Sequence, residues 1–90
     1  MNIKERVQNG IRVLDETYPE WWKLIDPEQL NIDNEFYCVV GQIFGKYSTG
    51  MKQLGLLEGY DYGFLVGYYR DQKEIHQEWK KQIYNRKYSG

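Results

Sequence analysis

Apolar residues recur every three or four positions near the start of the chain. The series runs Ile3, Val7, Ile11, Leu14 and Tyr18. This spacing places the series on one face of an α-helix. Asn2, followed three residues later by Glu5, is typical of a helix N-terminus. Pro19 disfavours helical angles at the residue before it, so the pattern predicts a first helix that ends there.

A second helix is predicted between residues 33 and 47. Asp33-Asn34-Glu35 is typical of a helix start. The apolar residues that follow on one side are Phe36, Val40, Ile43, Phe44 and Tyr47. Gly41 and Gly45 lie one turn apart within this stretch. Bare backbone at both positions would let another helix or an aromatic ring approach closely, so we expect these glycines to serve packing.

Short helical pieces are predicted on both sides of the second helix. Pro19 and Pro27 each stand where a proline occupies the first turn of a short helix, so residues 19–25 and the turn after Asp26 are assigned to such pieces. Ser48-Thr49 can cap another short helix, which would end at Gly55 because a left-handed residue is favoured there.

The last helix is predicted to begin between Phe64 and Tyr69 and to end near Asn85. Its buried line is formed by Ile75, Trp79 and Ile83, extended backwards by Leu65 and by Tyr68 or Tyr69. The preceding segment, residues 59–64, is rich in glycine and tyrosine and is predicted to be a loop.

These patterns predict a mainly α fold that forms one domain over residues 1–90. It has three principal helices, short helical pieces and a Gly/Tyr-rich loop. The β-prone stretches Val39-Val40 and Phe64-Leu65-Val66 leave a short strand pair open as an alternative.

Composition limits the classes of protein to which this chain could belong. Aromatic residues make up 17% of the chain, and such rings both stabilise small cores and dominate binding surfaces. The single cysteine excludes an internal disulfide. No apolar run is long enough for a signal peptide or for a membrane span of about 18 residues, so we expect a cytoplasmic protein without membrane contact.

Enzymatic chemistry is not expected. The stretch Gly41 to Ser48 resembles a phosphate-binding P-loop, but it has three instead of four residues between its glycines, and Tyr47 stands where the hydroxyl ligand of magnesium belongs. Cys38 lies in an apolar run, and His76 lies at the edge of the last helix's buried line. We therefore predict no catalytic residue, no metal site and no cofactor.

The strongest suggestion of function is a group of tyrosines with two nearby cations. The group consists of Tyr47, Tyr60, Tyr62, Tyr68 and Tyr69, together with Lys46 and Arg70. Tyrosine rings stack on nucleobases, and Lys and Arg neutralise phosphate, so the group predicts a site for a nucleotide-like small molecule. The alternative is that these rings only cover a small core with their hydroxyls in water.

Two other binding modes are considered. The adjacent Trp21 and Trp22 point about 100° apart on a helix, so at least one should be less buried and could contact a partner protein. The C-terminal segment carries Lys80, Lys81, Arg86 and Lys87, and residues 70–90 have a net charge of +3, from six Lys/Arg and three Asp/Glu. Because the whole chain has a net charge of −1, nucleic acid is the weakest of the predicted partners.

Several short motifs resemble a group of small bacteriophage and prophage proteins. They are Cys38-Val39-Val40-Gly41-Gln42, Leu54-Gly55-Leu56, Tyr62-Gly63-Phe64 and the late Trp79, with Val40 where the group usually has leucine. The group has no agreed activity, so the resemblance implies a phage setting and no catalytic residue.

Small phage accessory proteins often act against host defence without catalysis. We therefore predict a non-enzymatic, phage-type counter-defence protein that sequesters a nucleotide-derived ligand, and we leave open that it forms a homo-oligomer. The alternative is an inhibitor that binds a host protein, and DNA binding ranks below both.

Overall fold

A computed structural model describes residues 1–88 and contains four α-helices in this range. They are α1 (Ile3–Thr17), α2 (Val39–Phe44), α3 (Tyr47–Leu54) and α4 (Gln72–Tyr88). Single 3₁₀ turns lie at Trp21–Leu24, Pro27–Gln29, Tyr60–Tyr62 and Tyr69–Asp71. The mainly α prediction is confirmed. The alternative of a short strand pair is wrong, because residues 1–88 contain no strand.

Helix α1 begins as the sequence predicts. The Asn2 side-chain oxygen accepts the backbone N–H of Glu5 at 2.8 Å, which satisfies one of the unpaired donors of the first turn. The predicted apolar face is buried from Ile3 to Leu14, whereas Tyr18 follows the helix and is exposed.

The predicted start of the second helix at Asp33 is wrong. The Asn34 side-chain oxygen accepts the N–H groups of Phe36 and Tyr37, at 2.8 and 3.1 Å, and so stabilises a turn instead of a helix. Helix α2 begins only at Val39, where the Cys38 sulfur accepts the N–H of Gly41 at 3.3 Å. Phe36 is consequently exposed and does not belong to a buried helix face.

Close packing around α2 involves a different glycine pair from the predicted one. Gly45 ends the helix with φ of +93°, and a β-carbon added there would meet no other atom within 4 Å. Gly41 does pack closely, against backbone of the preceding loop. Helices α2 and α3 meet at Gly50, where a β-carbon would lie 2.2 Å from Val40 and 2.6 Å from Phe44.

Helix α4 has the predicted buried line but a later start. Ile75, Trp79 and Ile83 are completely buried. The residues expected to extend this line backwards, Leu65, Tyr68 and Tyr69, are exposed instead. The backbone turns at Gly67 with φ of +83°, so residues 64–68 cannot continue the helical face of α4.

Trp79 is the centre of an aromatic core. Its ring stacks on Phe64 with centroids 5.9 Å apart and meets Trp21 edge-on at 6.0 Å. Its indole N–H donates to the carbonyl of Gly63 at 2.6 Å, so its one polar atom is satisfied. Tyr62 stacks on the same Phe64, so the core holds α4 against the Gly/Tyr-rich segment.

A buried arginine ties that segment to α1. Arg6 is 1% exposed, and its Nε donates to the carbonyl of Tyr60 at 2.7 Å. Its Nη2 donates to the carbonyls of Leu65 and Val66, at 2.6 and 3.2 Å. The guanidinium carbon lies 3.7 Å from the centre of the Tyr60 ring. No carboxylate pairs with Arg6 within residues 1–88, so carbonyl dipoles and a ring face offset the cost of burying its charge.

The ends of α1 and α4 are joined by an ion pair. Arg86 donates to both carboxylate oxygens of Asp15, at 2.9 and 2.8 Å, and the Trp21 indole N–H donates to the same carboxylate at 2.9 Å. The Arg86 guanidinium is the main cause that lowers the pKa of Asp15 below its ordinary value.

Replacing Arg6 by methionine is expected to lower the free energy of unfolding by at least about 2 kcal/mol, because three carbonyl groups lose their donor. The free energy of unfolding of Arg6→Lys should lie between those of Arg6→Met and wild type, since an ammonium group cannot reproduce the planar array of donors of a guanidinium. Arg12 lies on the same helix, is exposed and donates only to Asn9 at 3.1 Å, so Arg12→Met should cost no more than about 0.5 kcal/mol. Urea unfolding followed by tryptophan fluorescence measures all three. Equal losses for the two methionine variants would contradict the assigned role of Arg6.

Candidate functional site

Two adjoining depressions meet at the ring of Tyr69. This ring is 87% exposed and lines both depressions, because the 3₁₀ turn before α4 holds it away from the core. We call the two depressions together the tyrosine cleft. They have volumes of about 430 and 420 Å³, each in the range of small-molecule sites.

The first depression of the cleft is cationic. It is lined by Tyr69, Arg70, Gln72, Lys73 and His76. The Arg70 side chain is 82% exposed, and its nearest carboxylate, that of Asp71, is 3.9 Å away. No carboxylate belongs to the lining, so this depression favours an anion.

His76 is the titratable base of the cationic depression. Partial burial lowers the pKa of the imidazole below its ordinary value, and the nearby charge of Lys80 lowers it further. The ring is therefore neutral at pH 7, and a bound anion would favour its protonation.

The second depression is mostly apolar. Its walls are Tyr60, Leu65, Val66, Gly67 and Tyr69, with the carboxylate of Asp33 at the edge. Arg6 covers one face of the Tyr60 ring, so Tyr60 forms a wall and does not offer that face for stacking. A β-carbon at Gly67 would lie 2.1 Å from the same ring, which explains why glycine is required beside it.

The structure brings together only part of the predicted tyrosine group. Tyr60, Tyr69 and Arg70 line the cleft. Tyr62 stacks on Phe64 in the core, and Tyr68 meets the edge of Tyr60 with its ring 6.4 Å away. The alternative interpretation, that the tyrosines only cover the core, therefore describes Tyr62 well.

Lys46 and Tyr47 lie outside the cleft. Lys46 is exposed at the start of α3 and lines neither depression. Tyr47 lines a separate depression of about 140 Å³, which shares Asp33 and Leu65 with the apolar half of the cleft. Burial raises the pKa of the Tyr47 hydroxyl above its ordinary value.

The adjacent Trp21 and Trp22 differ in burial, as expected for neighbouring residues that point in different directions on a helix. Trp21 is completely buried, so its assignment as a partner-binding residue is wrong. Trp22 is half-buried and has the Lys23 ammonium 5.5 Å from its ring centre. Beside this turn an apolar groove of about 400 Å³ is lined by residues 17–21, 23 and 24, including the exposed side chain of Leu24.

The remaining candidates for catalysis or metal binding lie apart from one another. Cys38 is buried at the start of α2, and burial raises the pKa of its thiol. His76 lies in the cationic depression on α4. Within residues 1–88, no three His, Cys, Asp or Glu side chains lie close enough together to hold a metal ion.

The basic C-terminal residues are partly neutralised. Arg86 is paired with Asp15, and the Lys80 ammonium lies 3.7 Å from the carboxylate of Glu28. Only Lys81 and Lys87 of the predicted cationic set have no salt bridge within residues 1–88, which weakens the case for nucleic acid.

Sequence reasoning missed all three of the titratable side chains that line the cleft beside Arg70 and the tyrosines, namely Asp33, Lys73 and His76, and it also missed Gln72. Lys73 and His76 follow Arg70 at steps of three, and this spacing places side chains near one another on a helix. That signal was present in the sequence. Asp33 carried no such signal, because its loop meets the start of α4 only in the folded chain, where Gln72 donates to its carboxylate at 3.1 Å.

The motifs that resemble phage proteins have structural contacts. Cys38 caps α2, and Gln42 cross-links the chain by accepting the N–H of Asp26 and donating to the carbonyls of Asp26 and Tyr37. Gly63 accepts the indole N–H of Trp79. These motif residues therefore maintain the fold and do not line the tyrosine cleft.

Comparisons with protein-family models, with curated protein sequences and with solved structures found no match. No helix within residues 1–88 is both long enough and apolar enough to span a membrane.

Anion binding in the cationic depression is expected to strengthen as the pH falls. A bound anion favours the charged imidazole, so binding takes up a proton and affinity rises as the pH falls through the lowered pKa of His76. Sulfate is a suitable probe because it keeps its charge from about pH 7.5 to about pH 5.5. Titrations followed by NMR shifts of Lys73 and Arg70 measure the affinity. His76→Gln should remove the pH dependence, and an unchanged dependence in this variant would contradict the assignment.

Proposed function

We propose that this protein is a non-enzymatic binding protein that sequesters a nucleotide-derived small ligand in the tyrosine cleft. The observation that carries the proposal is the position of Tyr69. Its exposed ring separates an apolar depression from a cationic one, so one side could receive a base and the other a phosphate.

The chemistry of the lining supports this assignment of the two halves. Tyr69 offers a free ring for stacking on a base. The planar guanidinium of Arg70 and the ammonium of Lys73 are both suited to hydrogen bonding with phosphate oxygens. Each depression has roughly the volume of a small-molecule site, so together they could accommodate a nucleotide.

The biological role that we propose is counter-defence in a phage setting. A protein that binds a nucleotide-derived immune signal tightly and without turnover would lower the free concentration of that signal in the host. This role follows from the motif resemblance and stays a prediction, as does a homo-oligomeric state.

Thermal unfolding in the presence of linear and cyclic nucleotides tests the proposal. A ligand at about one hundred times its Kd should stabilise the fold by about 2.7 kcal/mol and raise Tm by several degrees. Tyr69→Ala and Arg70→Ala should each lose most of this shift, because a base–ring stack contributes about 1–3 kcal/mol. Tyr37→Ala is the matched control, since this tyrosine is 47% exposed and lines neither depression. A panel in which no nucleotide raises Tm would overturn the proposal.

A second candidate function is inhibition of a host protein through the apolar groove at residues 17–24. The specific observation in its favour is that Leu24 is 58% exposed beside the half-buried Trp22. Tyr18 is 43% exposed and also lines the groove, and tyrosine is enriched among the residues that dominate protein interfaces.

Reciprocal variants separate the two functions. If a host protein binds the groove, Leu24→Asp should abolish its stoichiometric capture from host lysate, because a carboxylate would be buried without a partner. Tyr69→Ala should leave the capture unchanged. Capture that survives Leu24→Asp would contradict binding at the groove.

A further inference from the structure

Among residues 1–88, Asp33 is the one acidic residue that lines the tyrosine cleft. It lies in the loop before α2, and it lines the apolar depression together with Tyr60 and Tyr69. Its backbone N–H donates to the side chain of Asn31 at 3.0 Å, and its Oδ2 accepts the amide of Gln72 at 3.1 Å. The backbone of Asp33 is therefore fixed by Asn31, and one oxygen of its carboxylate is fixed by Gln72.

One oxygen of this carboxylate remains available to a ligand. Within residues 1–88, no hydrogen bond is made to Oδ1 of Asp33. An ionised carboxylate can only accept hydrogen bonds, and each of its oxygens can accept more than one. Asp33 therefore favours a ligand with N–H donors and repels phosphate and other acceptors from the apolar half of the cleft.

The nucleobases differ in the donors that they present to a carboxylate. Guanine places N1–H and the N2 amino group side by side, which matches the two oxygens of one carboxylate. Adenine and cytosine place a ring acceptor beside their amino group, and uracil places its single N–H between two carbonyl groups. Guanine is therefore the only common base that can donate twice to Asp33.

We propose that the tyrosine cleft selects guanine nucleotides, with Asp33 accepting hydrogen bonds from the Watson–Crick edge of the base. This inference rests on the proposed nucleotide-binding function. The base lies against Tyr69 in the apolar half, and the phosphate lies against Arg70 and Lys73. Gln72 is a positioning residue, because it holds the carboxylate of Asp33 and also lines the cationic half.

Isothermal titration with three nucleoside monophosphates tests base selection on the unmodified protein. Guanosine monophosphate should bind about tenfold to a hundredfold more tightly than adenosine monophosphate. Inosine monophosphate keeps N1–H but lacks the amino group at position 2, so its affinity should lie between the two. Equal affinities for the three nucleotides would overturn the inference and leave the proposed function intact.

Asp33→Asn tests the carboxylate itself with almost no change in shape. The amide presents one acceptor and one donor, a pair that complements adenine, so the variant should lose its preference for guanine and bind adenosine monophosphate at least as well as wild type does. The thermal melt of the unliganded variant shows whether it is folded. A variant that is folded and still prefers guanine would overturn the role of Asp33.

Arg70→Ala distinguishes the inference from the function on which it rests. This variant should weaken all three nucleotides by a similar factor, because it removes a phosphate contact that every nucleotide makes. Wild-type protein that binds none of the three nucleotides overturns both the proposed function and the inference. Binding that depends on Arg70 but not on the base overturns the inference alone.

Discussion

The fold depends on how the charge of Arg6 is accommodated. A guanidinium that is 1% exposed would be strongly destabilising without partners, and three carbonyl groups and one tyrosine ring provide them. Those carbonyls belong to residue 60 of the Gly/Tyr-rich segment and to residues 65 and 66, which follow it, so one side chain of α1 holds this segment and the chain directly after it. Because that segment also carries one wall of the tyrosine cleft, the geometry of the cleft follows from the same contact.

The aromatic core determines which rings remain available for binding. Three rings are completely buried in the core and offer no surface to a ligand, those of Phe64, Trp79 and Trp21. The ring of Tyr62 stacks on that of Phe64. Gly67 then turns the chain outward, and the ring of Tyr69 lies in solvent beside Arg70. The high aromatic content of the sequence thus has two separate causes, a small core that needs large rings and a surface on which several rings are exposed, among them that of Tyr69.

The candidate site was predictable only where its residues are close in sequence. Tyr69 and Arg70 are neighbours, and the spacing to Lys73 and His76 follows from the period of a helix. Asp33 comes from a loop that is 36 residues before Tyr69 in the chain. It reaches the cleft because Gln72 holds it there, a contact that no local pattern encodes.

The sequence by itself determined helix α1 and the buried line of α4, since helix caps and apolar periodicity act within a few residues. Asn2 caps α1, and the line Ile75, Trp79 and Ile83 is buried as its spacing requires. Tertiary structure decided the start of α2, the burial of Trp21 and the composition of the cleft. The burial of Trp21 and the composition of the cleft depend on contacts between segments that are distant in sequence. The start of α2 depends on the side chain of Asn34, which stabilises a turn where the apolar periodicity predicts a helix.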